Sequence, residues 1–391
     1  MILELKTAAI KRVDEIKATL FEISQFIYDH PEMGFEEFKC SAYLKEFLSD
    51  AGFRVTEGIA GLATAFHAVK GSGRPRIGLM AEYDAVSPEL GHACGHNIIA
   101  ASSVGAAVIL ADLAEACGGG TIEVFGTPAE EEGGGKVYIA DAGLFDGLDA
   151  VFYMHPSYST RIGGKSLATR IIDVEIKGKT AHAARFPHHG INATSAMVNL
   201  FQIIDSLRQQ FSPGTKLNGV IQQGGQYPSS INDCAKARFQ AFAVHPSDID
   251  GISELIERTA KGVSIATNTK CKVHQGPLYL PRKPNLPLAQ LMEQNMRQLG
   301  LEVEEMPGQE EGYTDVGNVC EAAPTVQGYI SLHAGKVSNH TPEFAALAGG
   351  EKGREAILNA AKIMVMTGVD LLTQPEMVLR IQEYFKELKG S

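Results

Sequence analysis

Through the first 160 residues of the chain, apolar runs of strand length alternate with stretches of helix length, and few architectures accept that alternation. Residues 76–82, 121–127 and 150–155 read as buried strands. Residues 97–117 read as a helix of small side chains that stops at Gly118-Gly119-Gly120. Apolar positions at helical spacing (Ile10, Val13, Ile16, Leu20, Ile23, Ile27) predict one further helix over residues 4–29, ended by His30-Pro31. Strands joined to helices by short Gly/Pro turns predict an α/β domain with helices on both sheet faces.

Near residue 168 the rhythm changes. A strand (169–179), a helix (192–210), two strands (216–222 and 235–244), a helix (248–266) and a strand around Cys271 follow in turn. That is the β-α-β-β-α-β order of a ferredoxin-like unit. The proline-rich stretch 277–287 reads as the return to the first domain. The expectation is a discontinuous α/β/α domain of residues 1–167 and 281–391, with an α+β domain of residues 168–280 inserted into it. A length of 391 residues suits two or three domains of ~150 residues each.

Composition narrows the function. A formal charge of -11 without a long basic run argues against nucleic acid, whose phosphates require a Lys/Arg footprint. The longest weakly polar run, 98–111, is shorter than the ~20 residues that cross a bilayer. The N-terminal segment mixes both charge signs and reads as an amphipathic helix, not a signal peptide. Six cysteines lie far apart with no CxxC pair, so a reducing cytoplasm is expected.

The chemistry concentrates in glycine- and proline-bounded turns. In Gly91-His-Ala-Cys-Gly-His-Asn97, Cys94 and His96 flank a glycine, and a thiolate with an imidazole is a zinc-like pair. Thr127-Pro-Ala-Glu-Glu-Glu-Gly-Gly-Gly135 follows a strand, where open α/β sheets gather their ligands. Adjacent carboxylates there allow one to hold a metal while its neighbour takes a proton from water. His155-Pro156 and His340-Thr-Pro-Glu complete a set of one Cys, three His and at least one Glu, enough for two metal ions. A solvated acidic loop and lone surface histidines are the bland readings of the same residues. GxGxxG and GxSxG are absent, which weakens dinucleotide binding and serine hydrolysis.

The segments 81–85 (AEYDA), 91–97, 126–135, 154–156 (MHP), 178–184 (GKTAHAA), 314–319 (TDVGNV) and 339–344 (NHTPEF) occur here in an order that resembles the metal-dependent aminoacylase/carboxypeptidase amidohydrolases. The branch with p-aminobenzoyl-glutamate hydrolase and the Xaa-Arg dipeptidases is the most similar. The resemblance implies a two-metal exopeptidase-like catalytic domain with a ferredoxin-like lid, commonly a homodimer through that lid. It implies Cys94, His96, Glu131, His155 and His340 as metal ligands, Glu130 as general base and Asp84 as a support behind a ligand. It also implies that His182 polarises the scissile carbonyl, often in a partner's site; unaided, His182 reads as a surface residue. The three-glutamate run leaves two registers for base and ligand, Glu130/Glu131 or Glu131/Glu132. Ser229 replaces a common asparagine of the lid and Asn232 follows it; both are expected at the substrate, and Thr314, Asp315 and Asn318 to line its cleft.

The reaction expected is hydrolysis of the amide C–N bond of a dipeptide or N-acyl amino acid, with no membrane or nucleic-acid partner. The thiolate makes zinc the first choice of metal, with manganese, cobalt and nickel open. An aminoacylase acting on amino-acid conjugates is the runner-up. A metal-bound but inactive binding protein is the alternative from another class.

Overall fold

The computed structural model describes residues 2–308, 312–333 and 335–390. The chain divides into two compact units, Met1–Lys165 with Arg282–Ser391, and Ser166–Pro281. The strands, in chain order, are β1 (Arg54–Glu57), β2 (Phe66–Ser72), β3 (Arg76–Ala81), β4 (Gly120–Gly126), β5 (Ala150–Ser157), β6 (Arg161–Ile162), β7 (Ala168–Lys177), β8 (Ala181–His182), β9 (Lys216–Gln223), β10 (Ser230–Ile231), β11 (Cys234–Ala243), β12 (Lys270–Gln275) and β13 (Thr325–Ser331).

The first unit is built on a seven-stranded sheet in the order β1-β2-β4-β3-β5-β13-β6. The strands β4, β3, β5 and β13 run parallel, and β1, β2 and β6 are antiparallel additions. Alternate side chains of each strand feed opposite faces. Leu79, Val124, Phe152 and Val326 enter one core with helices Ile2–Glu15, Lys17–Asp29, His96–Leu113 and Glu351–Thr373. Met80, Phe125, Val151 and Tyr153 enter the other, with helices Gly135–Asp141 and Val316–Ala322. The chain leaves β3 toward β4 on one side and later returns to β5 on the other. The order therefore reverses at β3, and the crevice at the carboxyl ends of these strands is where such sheets bind ligands.

Two sequence expectations change. The N-terminal helix is two helices, because the backbone leaves helical geometry at Ile16 (φ -95°, ψ 9°). Helices His96–Leu113 and Glu351–Thr373 are each long and apolar enough to cross a membrane by length and composition. Both are 78% buried over the apolar window, as expected of core helices of the first unit.

The second unit carries a four-stranded antiparallel sheet in the order β12-β7-β11-β9, with helices Ala193–Leu207 and Pro246–Thr267 packed on one face. Numbered along the chain within this unit, the order is 4-1-3-2, which is ferredoxin-like. A two-stranded ribbon, β8 with β10, carries His182 opposite Ser230.

Candidate metal and active site

The turn before helix His96–Leu113 closes on Gly95, whose φ of +77° suits glycine. A Cβ there would sit 2.5 Å from Pro156 Cγ, so the turn bearing Cys94 and His96 packs directly against the end of β5 bearing His155. The loop after β4 folds back so tightly that a Cβ on Gly135 would collide with the Pro128 carbonyl. Buried Glu37 anchors that loop: its carboxylate accepts from the Ala129 N–H and the Thr64 hydroxyl, both at 2.8 Å. Burial, then the nearby Asp84 charge, raises the Glu37 carboxyl to about 7. These contacts hold Glu130 and Glu131 beside His96.

The candidate ligand atoms form three overlapping groups whose members lie within 4.8 Å of one another. They are Cys94 with His96 and His155, Cys94 with Glu131 and His340, and His96 with Glu130 and Glu131. Cys94 Sγ lies 3.4 Å from His155 Nε2. Glu131 places one oxygen 3.2 Å from His340 Nε2 and the other 3.8 Å from His96 Nε2. His155 Nδ1 donates to the Pro156 carbonyl at 2.8 Å, which leaves Nε2 bare and facing the thiol. Burial pulls the His155 imidazole down to about 4, so the ring is neutral at physiological pH. His96 Nε2 and Glu131 Oε1 are buried and have no hydrogen-bond partner among the described residues. Orphaned buried polar atoms are costly in a native fold, and a cation satisfies them. A donor set of thiolate, imidazole and carboxylate fits a divalent transition metal.

Asp84 is the brace. Its Oδ1 accepts from His96 Nδ1 and its Oδ2 from the Glu131 N–H, at 2.9 and 3.0 Å. Burial pushes the Asp84 carboxyl up, but the adjacent His96 outweighs it and holds the group below its ordinary value. An asparagine can keep one of these two bonds but not both. Asp84→Asn is therefore expected to weaken metal affinity by about 10- to 100-fold; competition with a metal-indicator dye checks this.

A buried cation sits behind the ligands. Lys136 Nζ lies 2.8 Å from Glu82 and 2.7 Å from Asp315, all three fully buried. Asp315 also takes the Lys136 backbone N–H at 3.0 Å. Burial alone would neutralise Lys136, but Asp315 and Glu82 outweigh it and keep it charged. Glu82 also approaches His96 Nε2 at 3.6 Å. Burial, then Glu82, Glu131 and Asp315, push the Glu130 carboxyl well above the usual range, with Lys136 opposing.

Expectation and structure diverge at several places. Glu130 and Glu131 stand by His96, whereas Glu132 is exposed and outside the three groups, so the geometry presents the Glu130/Glu131 register. Asp315 does not line a cleft: it is fully buried and both its oxygens serve Lys136. Thr314 and Asn318, near it in the chain, are also buried. His182, Ser229 and Asn232 belong to the second unit. The Asn232 amide donates to Thr194 Oγ1 and the Cys234 carbonyl, so its N–H groups brace the lid itself. His182 is exposed, and its Nδ1 accepts from the Ala184 and Arg185 N–H groups at 3.3 and 3.2 Å. Its proton is therefore on Nε2. Glu82, Lys136 and Glu37 were not anticipated; Glu82, two residues before Asp84 on a strand end, carried the only sequence signal.

The model of peptidase family M20/M25/M40 matches residues 58–363. The chain belongs to that family. It is a metal-dependent hydrolase of amide bonds. The chain is 31% identical to the mouse Xaa-Arg dipeptidase over 98% of its length and 92% of the relative's. It is 30% identical to one subunit of the p-aminobenzoyl-glutamate hydrolase of Escherichia coli (strain K12), over 85% of this chain and 70% of that one. A solved dinuclear metal-binding M20 peptidase from Bacillus subtilis superposes with a TM-score of 0.63 at 20% identity, over 92% of this chain and 99% of that one. An aminobenzoyl-glutamate utilization protein from Klebsiella pneumoniae gives 0.69 at 17%, over 89% and 97%. These last two likenesses concern the fold.

Proposed function

We propose that this M20 hydrolase releases an amino acid with a free α-carboxylate from a dipeptide or an N-acyl amino acid. Two divalent metal ions, zinc by preference, would be held by Cys94, His96, Glu131, His155 and His340. The observation that carries the reading is the convergence of Cys94, His96, Glu131, His155 and His340, whose ligand atoms fall in overlapping groups within 4.8 Å of one another. The relatives support the substrate class: one is named for Xaa-Arg dipeptides, another for p-aminobenzoyl-glutamate and a third, from Bacillus subtilis (strain 168), for N-acetyl-L-cysteine.

Bound there, the metals supply Lewis acidity, which lowers the pKa of water and polarises a carbonyl. Glu130 accepts the proton of the attacking water and returns it to the departing amine nitrogen, so that one water yields one carboxylic acid and one amine. Asp84 fixes the His96 tautomer, and Lys136 keeps the carboxylates behind the ligands neutralised. By the family resemblance, His182, acting in its own or a partner's site, would donate its Nε2–H to the carbonyl oxygen. For His182→Ala, metal content is expected to stay at the wild-type level while kcat falls by about 100- to 1000-fold, as for loss of one oxyanion donor. A change confined to KM would remove that role.

The working form is a homodimer through the lid. In support, β9 is an edge strand that exposes Val220 and Ile221, and helix Ala193–Leu207 exposes Val198 and Ile203. An open apolar edge of this kind invites pairing with a second copy. Six free cysteines suit the cytoplasm. The substrate class is tested by assaying Xaa-Arg and Xaa-Lys dipeptides, p-aminobenzoyl-glutamate and N-acetyl amino acids side by side. Cleavage of at least one class by the metal-loaded enzyme is expected; inertness toward all of them would overturn the reading.

A further inference from the structure

The segment that carries His340 is tied to the turn that carries Cys94 at three points. The His340 backbone N–H donates to the Ala93 carbonyl at 2.9 Å. The Asn339 side-chain amide donates to Cys94 Sγ at 3.6 Å. A Cβ on Gly95 would lie 3.5 Å from the Phe344 ring. His340 itself has a φ of +65°, a left-handed conformation that a non-glycine residue keeps only where its surroundings impose it. Thr341 fixes the chain on the far side: its hydroxyl accepts from the Phe344 N–H at 3.2 Å and donates to the Ser338 carbonyl at 2.8 Å. Asn339 is half-buried and Cys94 is 6% exposed. Their contact is therefore shielded from bulk water, where a hydrogen bond is electrostatically stronger.

We infer that Asn339 is a positioning residue of the metal centre, whose amide fixes the Cys94 sulfur and draws charge from it. The inference rests on the ligand set proposed above and adds a residue outside that set. A thiolate has no proton to donate, so it accepts from the NH₂ end of the amide, the end that faces it here. Hydrogen bonds to an ionised group are the stronger kind, and this one restrains a side chain with a single free torsion. A donor on a ligand sulfur also lowers the energy of its lone pairs, which tunes the metal without touching it. Asp84 plays the matching part for His96. The two candidate ligands of the 91–97 turn are thus each held by one polar side chain from outside it. Cys94 is held from the chain after β13, and His96 from the chain after β3.

The test loads the protein with cobalt(II) and reads the near-ultraviolet thiolate-to-cobalt charge-transfer band in the wild type, Asn339→Leu, Asn339→Ala and Asn339→Gln. Leucine has the branching of asparagine without its donor. The band is expected to move to longer wavelength in both Asn339→Leu and Asn339→Ala, because a sulfur relieved of its donor gives up charge more easily. Affinity for the ion, read by competition with an indicator dye, should fall by about 10- to 100-fold in both. Asn339→Gln keeps an amide and should restore part of the wild-type band position and affinity. Thr341→Ala is the structural control: it removes the cap of helix Pro342–Ala348 and leaves the donor, so the band should stay in place. A band unmoved in Asn339→Leu would overturn the inference. An equal shift in Thr341→Ala would make loop packing the cause and overturn it as well. So would a shift in Asn339→Ala that Asn339→Leu does not share, since volume would then explain it. A wild type that binds cobalt without this band would contradict Cys94 as a ligand, and the inference would fall with the ligand set. Neither readout needs turnover, so failure to cleave any amide would contradict the proposed reaction and not the role of Asn339.

Discussion

Glu130→Gln retains the metal content of the wild type and loses about 10²- to 10⁴-fold in kcat, the usual contribution of a positioned general base. Glutamine has the same shape and can fill the same half-buried place beside His96 and Glu131, but it cannot take a proton from water. The ligand atoms that Glu131 offers to His96 and His340 are untouched. Metal analysis and steady-state kinetics on the same preparation separate the two effects. Glu132→Gln is the matched control: Glu132 is exposed and outside the ligand groups, so its replacement should leave kcat close to wild type. A collapse in Glu132→Gln with a normal Glu130→Gln would shift the base and ligand by one residue.

Lys136→Met destabilises the fold by about 3–5 kcal/mol, the range seen when one partner of a buried ion pair is removed. Methionine keeps most of the volume but leaves the fully buried Glu82 and Asp315 facing each other without a cation. Denaturant unfolding followed by a probe in the first unit gives the loss. The double variant Lys136→Met/Asp315→Asn should lose less than the sum of its parts, because the second change removes a charge that the first left uncompensated. Strict additivity would mean that the two side chains are not a pair. Metal affinity should also fall, since Glu82 reaches His96 on the far side of the same lysine.

The sequence exposes the fold where local patterns and tertiary needs agree. The buried strands β3, β4 and β5 are continuous apolar runs bounded by Gly and Pro, and the lid's strand–helix order is legible from periodicity alone. The break at Ile16 is not, because an isoleucine in a helical pattern carries no stop signal. The ligand candidates are legible because Cys94 and His96 share one glycine turn, and Glu130 and Glu131 share another. The support behind them is hidden. Lys136 follows three glycines at the start of a helix and reads as a solvated residue, yet it is a buried counter-ion. Asp315, read as a cleft residue, is its partner. For His182, the resemblance alone suggested a chemical role, and the structure adds its tautomer.

The most direct test of the central claim is to count metal ions per chain in reconstituted protein and follow amide hydrolysis before and after chelation. The account predicts about two transition-metal ions per chain, cleavage of a dipeptide or N-acyl amino acid, loss of both on chelation, and recovery when the metal is restored. Amide hydrolysis that persists in protein shown to be free of metal would contradict it, as would a reconstituted chain that binds no metal at all.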